Sequence, residues 1–267
     1  MLIIGERINS TRKTVAPAVK ERNTAFIEDE ARKQGEAGAH YIDCNGATVG
    51  REEEPEALCW LVQTVQACVN LPISLDSPNP DAIEAALKVH RGAPIINSIT
   101  GEREKLERLL PLVRQYGAKV IALCMDDEGM PKTGEDRIRI GLRLIDRLLS
   151  AGVPEEDVIL DPLLLPISVD SQHGISVLQA IAEFKRRCPN LKVSIGLTNV
   201  SYGLPERRWL NRATLILAMG AGLDAVICDP TDRDLMAMLL AAEALLGKDE
   251  FCARYLAAAR AGLLSGA

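Results

Sequence analysis

The stretch Ala37-Gly38-Ala39-His40-Tyr41-Ile42-Asp43-Cys44-Asn45 decides the fold. It ends an amphipathic segment on glycine, runs through a short apolar strand and finishes on polar residues. A glycine just past a helical pattern reads as a C-terminal cap. Strand side chains alternate between faces, so Asp43 and Asn45 share one face while Cys44 points the other way, toward a helix layer. The same joint recurs as Ala151-Gly152-Val153 and Ala221-Gly222-Leu223, with the related Tyr116-Gly117-Ala118. One helix-to-strand turn used repeatedly marks a chain built from a repeated strand–helix unit.

Outward from that unit, short apolar runs predict strands over 2–8, 41–45, 73–76, 95–99, 120–125, 158–161, 193–200 and 225–228. Most are rich in Ile, Val and Leu, as strands buried on both faces are. Helical periodicity fills 26–36, 56–69, 81–88, 102–116, 136–150, 175–187, 212–220 and 232–246. Pro80 opens one helix, whereas Pro111 lies within another and predicts a kink or a break. Eight strand–helix units in about 250 residues are the count and size of a (β/α)8 TIM barrel. A single domain over 1–267 is expected, with the barrel at about 1–246 and an extra C-terminal helix at about 249–263. The alternative, a doubly wound open sheet, calls for fewer strands and a nucleotide fingerprint. Its nearest match, Gly220-x-Gly222-x-x-Ala225, lies before a strand instead of between a strand and a helix.

Composition excludes several classes. The 267 residues are 47% hydrophobic, enough apolar surface to offset the entropy of ordering. With 31 basic against 37 acidic side chains (net charge −6) and 3% aromatic residues, the chain lacks the basic patches and stacking rings of a nucleic-acid protein. No apolar run reaches the length of a membrane span, and the N-terminus meets charge at Glu6 and Arg7, unlike a signal peptide. Seven cysteines without a C-x-x-C pair read as reduced thiols of a cytoplasmic protein, neither a disulfide framework nor a zinc site.

In barrels of this type chemistry gathers at the C-terminal ends of the strands. Those ends read Glu6, Arg7 and Asn9, then Asp43 and Asn45, Asp76, Asn97, Asp161, Asn199 and Asp229. Asp and Asn are depleted in strands, so their recurrence needs a cause. Any one of them could be a turn residue capping the next helix. Together at one end they read as the crown of a pocket. By strand alternation Asn199 is expected on one face with Leu197 and Ser201. The crown offers hydrogen bonds but no lysine, cysteine or histidine cluster, although two or three carboxylates could hold Mg²⁺. None of its members is an evident acid near pH 7. Of the three histidines, His40 opens a strand and His90 follows a helix. Only His173 falls in the loop after strand 6, where it could face the pocket or be structural.

Six motifs appear in order: G-E-R-I-N (Gly5–Asn9), D-x-N (Asp43–Asn45), L-D-S (Leu75–Ser77), I-N-S (Ile96–Ser98), D-P-L-x-L-P (Asp161–Pro166) and T-N-V-S-x-G-L-P-x-R (Thr198–Arg207). From residue 1 to about 245 the chain thus resembles the pterin-binding methyltransferases that move a methyl group between tetrahydrofolate and a corrinoid protein. That group includes the folate domain of cobalamin-dependent methionine synthase and is related in fold to dihydropteroate synthase. The resemblance implies pterin binding by Asp76, Asn97 and Asp161, methyl-transfer chemistry at Asn199, and an arginine of the loop after strand 7 at Arg207. Glu6, Asp43, Asn45 and His173 match family positions near the pocket, with no role carried over. It implies tetrahydrofolate or methyltetrahydrofolate as substrate, a corrinoid (cobalamin) delivered by a separate protein, and no tightly bound metal. This chain departs from the family at Asn45-Gly46-Ala47, where N-V-G is common, and at Thr198, where serine is common.

A carboxylate suits the pterin's 2-amino and N3–H donor fork in bidentate fashion. Asp76 and Asn97 could satisfy the rest of the ring edge. Dihydropteroate synthases carry a lysine at the end of strand 7, whereas this chain reads Gly196-Leu197-Thr198-Asn199 there. A non-catalytic pterin-binding subunit and a metal-dependent barrel lyase are the other readings. Leu235–Leu246 holds one charge and Ala213–Gly222 none, so a homodimer through this side of the barrel is expected.

Overall fold

A computed structural model describes residues 1–264. Eight parallel strands, β1 (Leu2–Asn9), β2 (Tyr41–Asn45), β3 (Ile73–Asp76), β4 (Ile95–Thr100), β5 (Lys119–Leu123), β6 (Val158–Asp161), β7 (Lys192–Gly196) and β8 (Ala225–Cys228), close into a barrel in chain order. The helices between them are α1 (Val15–Lys20), α2 (Thr24–Glu36), α3 (Glu54–Cys68), α4 (Pro80–Val89), α5 (Arg103–Tyr116), α6 (Gly134–Ser150), α7 (His173–Arg187) and α8 (Arg207–Ala221). After β8 come α9 (Arg233–Leu245) and α10 (Ala253–Arg260). This is the (β/α)8 barrel that the repeated joint predicts. Gly38 (φ 94°) and Gly222 (φ 110°) turn helix into strand through left-handed conformations that a Cβ would disfavour. Among the described residues no helix is long and apolar enough to cross a membrane.

Two apolar clusters follow from strand alternation. The larger lies between strands and helices and includes Ile42, Cys44, Leu75, Ile96, Val120, Leu160, Val193 and Cys228. The smaller, Ile4, Tyr41, Ile95, Ile121, Ile159 and Ala225, plugs the barrel interior. Two residues further along the same inner face come Glu6, Asp43, Asn97 and Asp161. The barrel is therefore dry at its base and polar at its mouth.

The structure departs from the sequence expectations at defined places. Helix α1 is absent from the periodicity reading because it is six residues long with Pro17 inside. That proline sits in the first turn, where its missing N–H leaves no bond unmade. Pro111 does not end α5, which continues to Tyr116. Its ring is on the exposed side, so the carbonyl it leaves unpaired can meet water. β7 stops at Gly196 and the chain turns into a 3-10 helix over Leu197–Ser201, so Asn199 is not a strand residue. Helix α8 starts at Arg207, earlier than its apolar pattern indicates. The expected helix over 249–263 is a 3-10 turn, Glu250–Cys252, followed by α10, because Phe251 (φ 52°) and Cys252 (φ 54°) interrupt it.

Candidate active site at the barrel mouth

The mouth begins with backbone shape. In β1 the pairing with β2 shifts register between Gly5 and Ile8, a bulge of the kind that re-aims side chains at barrel rims. Gly5 permits it, since a Cβ there would lie 2.4 Å from Gln34 Oε1. That oxygen instead accepts the Arg7 amide at 2.9 Å. Arg7 itself turns outward to Glu30 and Asp229, Nη1 reaching Asp229 Oδ2 at 2.8 Å. β4 shifts register against β5 between Asn97 and Ile99, again at the mouth.

On one side of the mouth lie Asn9, Asp43, Asn45, Asp76 and Asn97. Asn97 Nδ2 donates to Asp43 Oδ1 at 3.1 Å, and Asn45 Nδ2 donates to Asp76 Oδ2 at 3.0 Å. Asn9 Nδ2 reaches the same Asp76 oxygen at 3.5 Å. Asn45 is fixed in turn, its Oδ1 accepting from Ser10 Oγ at 3.0 Å and from the Ala47 amide at 3.1 Å. The Asp43 and Asp76 carboxyls, on adjacent strands, lie close enough to feel each other's charge. Burial pushes Asp43 up to about 6 and Asp76 well above its ordinary range, with the neighbouring Asp43 charge adding to the effect on Asp76. Two buried acids this close cannot both ionise readily, so the pair holds a proton near neutral pH.

On the other side are Glu6 and Asp161. Asp161 Oδ1 accepts the Leu163 amide at 2.8 Å, and the Gly196 amide also donates to this carboxylate. Burial outweighs both donors and pushes Asp161 up to about 7. Glu6 also rises to about 7 through burial, although Thr198 Oγ1 donates to its Oε2 at 3.1 Å. The expectation that no crown residue is an acid near neutrality therefore fails. Burial is not visible in a list of strand ends, and it turns ordinary carboxylates into neutral-range acids.

Between these groups sits Asn199, exposed, on the 3-10 turn after β7. Its Nδ2 lies where a Cβ on Gly196 would come within 3.0 Å, so glycine makes the room that it occupies. Leu197, Val200 and Ser201 are buried, which puts Asn199 on the opposite side of the turn from Leu197 and Ser201, contrary to the alternation expected of a strand. Arg207 is the first residue of α8, not a loop residue. It staples this turn: Nη2 donates to the Thr198 carbonyl at 2.6 Å and Nε to Ser201 Oγ at 3.0 Å. Its guanidinium also lies 5.9 Å from the Tyr202 ring centre.

His173 is likewise no loop residue. It opens α7, is buried, and its Nδ1 has no partner among the described residues. Glu6, Asp43, Asn45, Asp76 and Asn97, by contrast, stand in the mouth at the C-terminal ends of β1 to β4. Sequence reasoning passed over Ser10 and took Thr198 only as a replacement for serine, yet their hydroxyls hold Asn45 and Glu6. Both lie within or beside the six motifs, so position could have found them. No group of three or more metal-ligating side chains forms among the described residues.

Residues 5–229 match the family model of pterin binding enzymes. The chain is 33% identical to a methylcorrinoid:tetrahydrofolate methyltransferase of Eubacterium limosum, over 98% of this chain and 97% of that one. It is 32% identical to the methionine synthase of Mycobacterium tuberculosis over 85% of its own length, but spans only 20% of that protein. A dihydropteroate synthase from Thermus thermophilus superposes with a TM-score of 0.67 at 23% identity, covering 91% of this chain and 94% of that one. Another from Xanthomonas albilineans does so with a TM-score of 0.70 at 21% identity, covering 93% and 92%. At such identities these structures show the fold.

Proposed function

The chain belongs to the pterin-binding enzyme family, and from that premise we propose how its barrel mouth works. The protein is a methyltransferase acting between tetrahydrofolate and a corrinoid. The observation that carries the assignment of roles is the set of acceptors around an open mouth, the buried Asp43 and Asp161 with the half-buried Asp76 and Asn97. A pterin presents its 2-amino group and N3–H as a flat donor fork, and an ionised carboxylate accepts both. Asp161 takes the fork, while Asp76 and Asn97 meet the rest of the ring edge. A ring lacking those groups would leave buried acceptors unpaired, which is the source of selectivity.

The reacting atoms are N5 of the folate and the methyl carbon on cobalt. Toward methyltetrahydrofolate, the N5 lone pair forms the N–C bond, the Co–C bond breaks with its electron pair left on cobalt as Co(I), and N5 loses its proton. In reverse, Co(I) attacks the methyl carbon and N5 must gain a proton to leave. Asn199 donates a hydrogen bond to N5 as charge develops there, stabilising the transition state more than the ground state. It is neutral and transfers no proton itself. With Asp161 engaged by the donor fork, Glu6 and the Asp43–Asp76 pair are the groups of the mouth left to hold that proton near pH 7. Arg207 keeps the Asn199 turn in place and faces the more exposed benzoyl-glutamate end.

The corrinoid arrives on a separate protein that covers the strand ends, and the described chain forms one domain. Exposed apolar residues on the α8–α10 side, among them Leu217, Leu245 and Phe251, support a homodimer formed away from the mouth. All seven cysteines are free, as in a reducing compartment such as the cytoplasm. The test is spectroscopic. Free Co(I) cobalamin mixed with methyltetrahydrofolate should convert to methylcobalamin on adding the protein, and methylcobalamin with tetrahydrofolate should convert back. Unchanged spectra in both directions, with folate binding intact, would leave a binding protein and not an enzyme.

A further inference from the structure

Arg137 is fully buried, and among the described residues its hydrogen-bond partners are backbone carbonyls and no carboxylate. It is one of the largest fully buried side chains of the protein. A buried guanidinium usually has an acidic partner, because removing its charge from water is costly. Here the charge meets carbonyl oxygens: Nη1 donates to Thr133 at 3.0 Å and Nη2 to Leu163 at 3.3 Å, while Nε finds no partner among the described residues. Packing alone would be served more cheaply by an apolar side chain of similar volume.

The Leu163 contact supplies a reason. Leu163 lies two residues after Asp161, in the loop between β6 and α7, and has φ of 60°, a left-handed conformation that a branched side chain disfavours. In that conformation its amide points back to Asp161 Oδ1 at 2.8 Å while its carbonyl points to Arg137. Such a backbone persists only where its surroundings fix it. We infer that Arg137 is a positioning residue for folate binding: it holds Leu163 so that the Leu163 amide steadies the Asp161 carboxylate. The inference rests on the reading of Asp161 as the pterin acceptor.

Around Asp161 few groups compete for its proton. The neighbouring Cys124 thiol, just past β5, is pushed well up by burial and stays neutral, and β7 contributes only the Gly196 amide. Arg137 acts through Leu163 and not by direct contact with Asp161, and burial lowers its own pKa from the usual arginine value. Because the Leu163 amide favours the ionised carboxylate, releasing Leu163 should raise the proton affinity of Asp161.

The experiment measures folate binding as a function of pH for wild type, Arg137→Lys, Arg137→Gln and Leu163→Gly, with Asp161→Asn as control. Arg137→Gln should move the midpoint of binding upward by about half to one pH unit. It should weaken binding at pH 7 by roughly threefold to tenfold, with kcat at saturating folate within about threefold of wild type. Arg137→Lys, which keeps one donor, should restore part of the shift. Leu163→Gly leaves Arg137 in place and should move the midpoint little. Should Arg137→Gln not fold, the lysine and glycine variants still decide. An unshifted midpoint in Arg137→Gln, a shift in Arg137→Lys as large as in Arg137→Gln, or a shift in Leu163→Gly as large as that expected for Arg137→Gln, overturns the inference. If Asp161→Asn itself binds folate normally, the fault lies in the assignment of Asp161 and not in Arg137.

Discussion

Asn97 reaches over the end of β3 to donate to Asp43 at 3.1 Å, tying the mouth ends of β2 and β4, which are not neighbours in the sheet. The strand between them contributes Asp76, itself held by Asn45 at 3.0 Å. The mouth is thus organised before any ligand arrives, each amide already satisfying a carboxylate. An incoming pterin exchanges these bonds for its own without waiting for the side chains to find their places.

A pH dependence of binding follows from the other side of the mouth. Burial pushes Asp161 up to about 7, so below that pH the free protein carries the acid and the donor fork meets a proton. Folate affinity should be flat above about pH 7.5 and fall by about tenfold per unit below about pH 6.5, with one proton released on binding. Isothermal titration in buffers of different ionisation enthalpy counts the proton. A flat profile from pH 5 to 8 would sink the assignment.

The same group sets a trade between stability and binding. The folded value of Asp161, about 7, lies above its ordinary 3.8. Its contribution to stability is therefore fully present below about pH 4 and lost as pH rises through about 7. Asp161→Asn removes the buried charge while keeping an oxygen for the Leu163 amide. The ligand-free variant should be more stable at pH 8 by on the order of 2 kcal/mol, and indistinguishable from wild type near pH 4. Asp161→Ala should weaken folate binding by about 2–4 kcal/mol, and Arg207→Ala by less. Denaturant melts and folate titrations measure both, and a larger binding loss at Arg207 would invert the pocket.

Much of this was legible in the chain itself. The alternation that puts Asp43 and Asn45 on one face, and the glycines that return helix to strand, carry the barrel and most of its mouth. What was not legible depends on the third dimension. Asn199 reads as a strand end because Ile195 and Leu197 alternate around it, yet the chain turns at Gly196. His173 reads as a loop residue because no capping side chain announces α7. The raised acidity of Glu6 and Asp161 comes from burial, which the order of residues does not state. Arg137 is hidden for the opposite reason: α6 carries many arginines, and nothing in the pattern marks the buried one.

The apolar side of the barrel predicts assembly. Leu245 is 88% exposed and Phe251 89%, and Leu217 and Leu256 are exposed as well. A double change, Leu245→Lys with Phe251→Lys, should convert a dimer of the wild type into a monomer without altering folate affinity. Sedimentation at micromolar concentration decides, and a wild-type monomer refutes the dimer.

Gly196→Ala tests how closely the Asn199 amide is placed. The added Cβ would come 3.0 Å from Nδ2, so the side chain must give by a few tenths of an ångström. Gly196 lies in the usual half of backbone space and alanine fits it without strain. The fold should survive, folate affinity should change by less than about threefold, and methyl transfer should slow by about tenfold, as small misplacements do in a positioned site. Wild-type transfer by this variant would mean that the observed pose of Asn199 is not the working one.

Removing the amide altogether is the stronger test. Asn199 is exposed on its turn, and its only described role in holding structure is to lie over Gly196, so Asn199→Ala should fold normally. Asp76, Asn97 and Asp161 still hold the ring, and folate affinity should change by less than about tenfold. The charge that develops at N5 loses its donor, and that interaction matters most at the transition state. Transfer should slow by about 10²-fold or more, the range of one lost transition-state hydrogen bond, so that kcat falls further than KM rises. Single-turnover transfer followed by cobalamin absorbance, beside equilibrium folate binding, separates the two effects. Transfer at the wild-type rate would make Asn199 a residue of the turn alone, and the task of stabilising N5 would pass to Glu6 or to the Asp43–Asp76 pair.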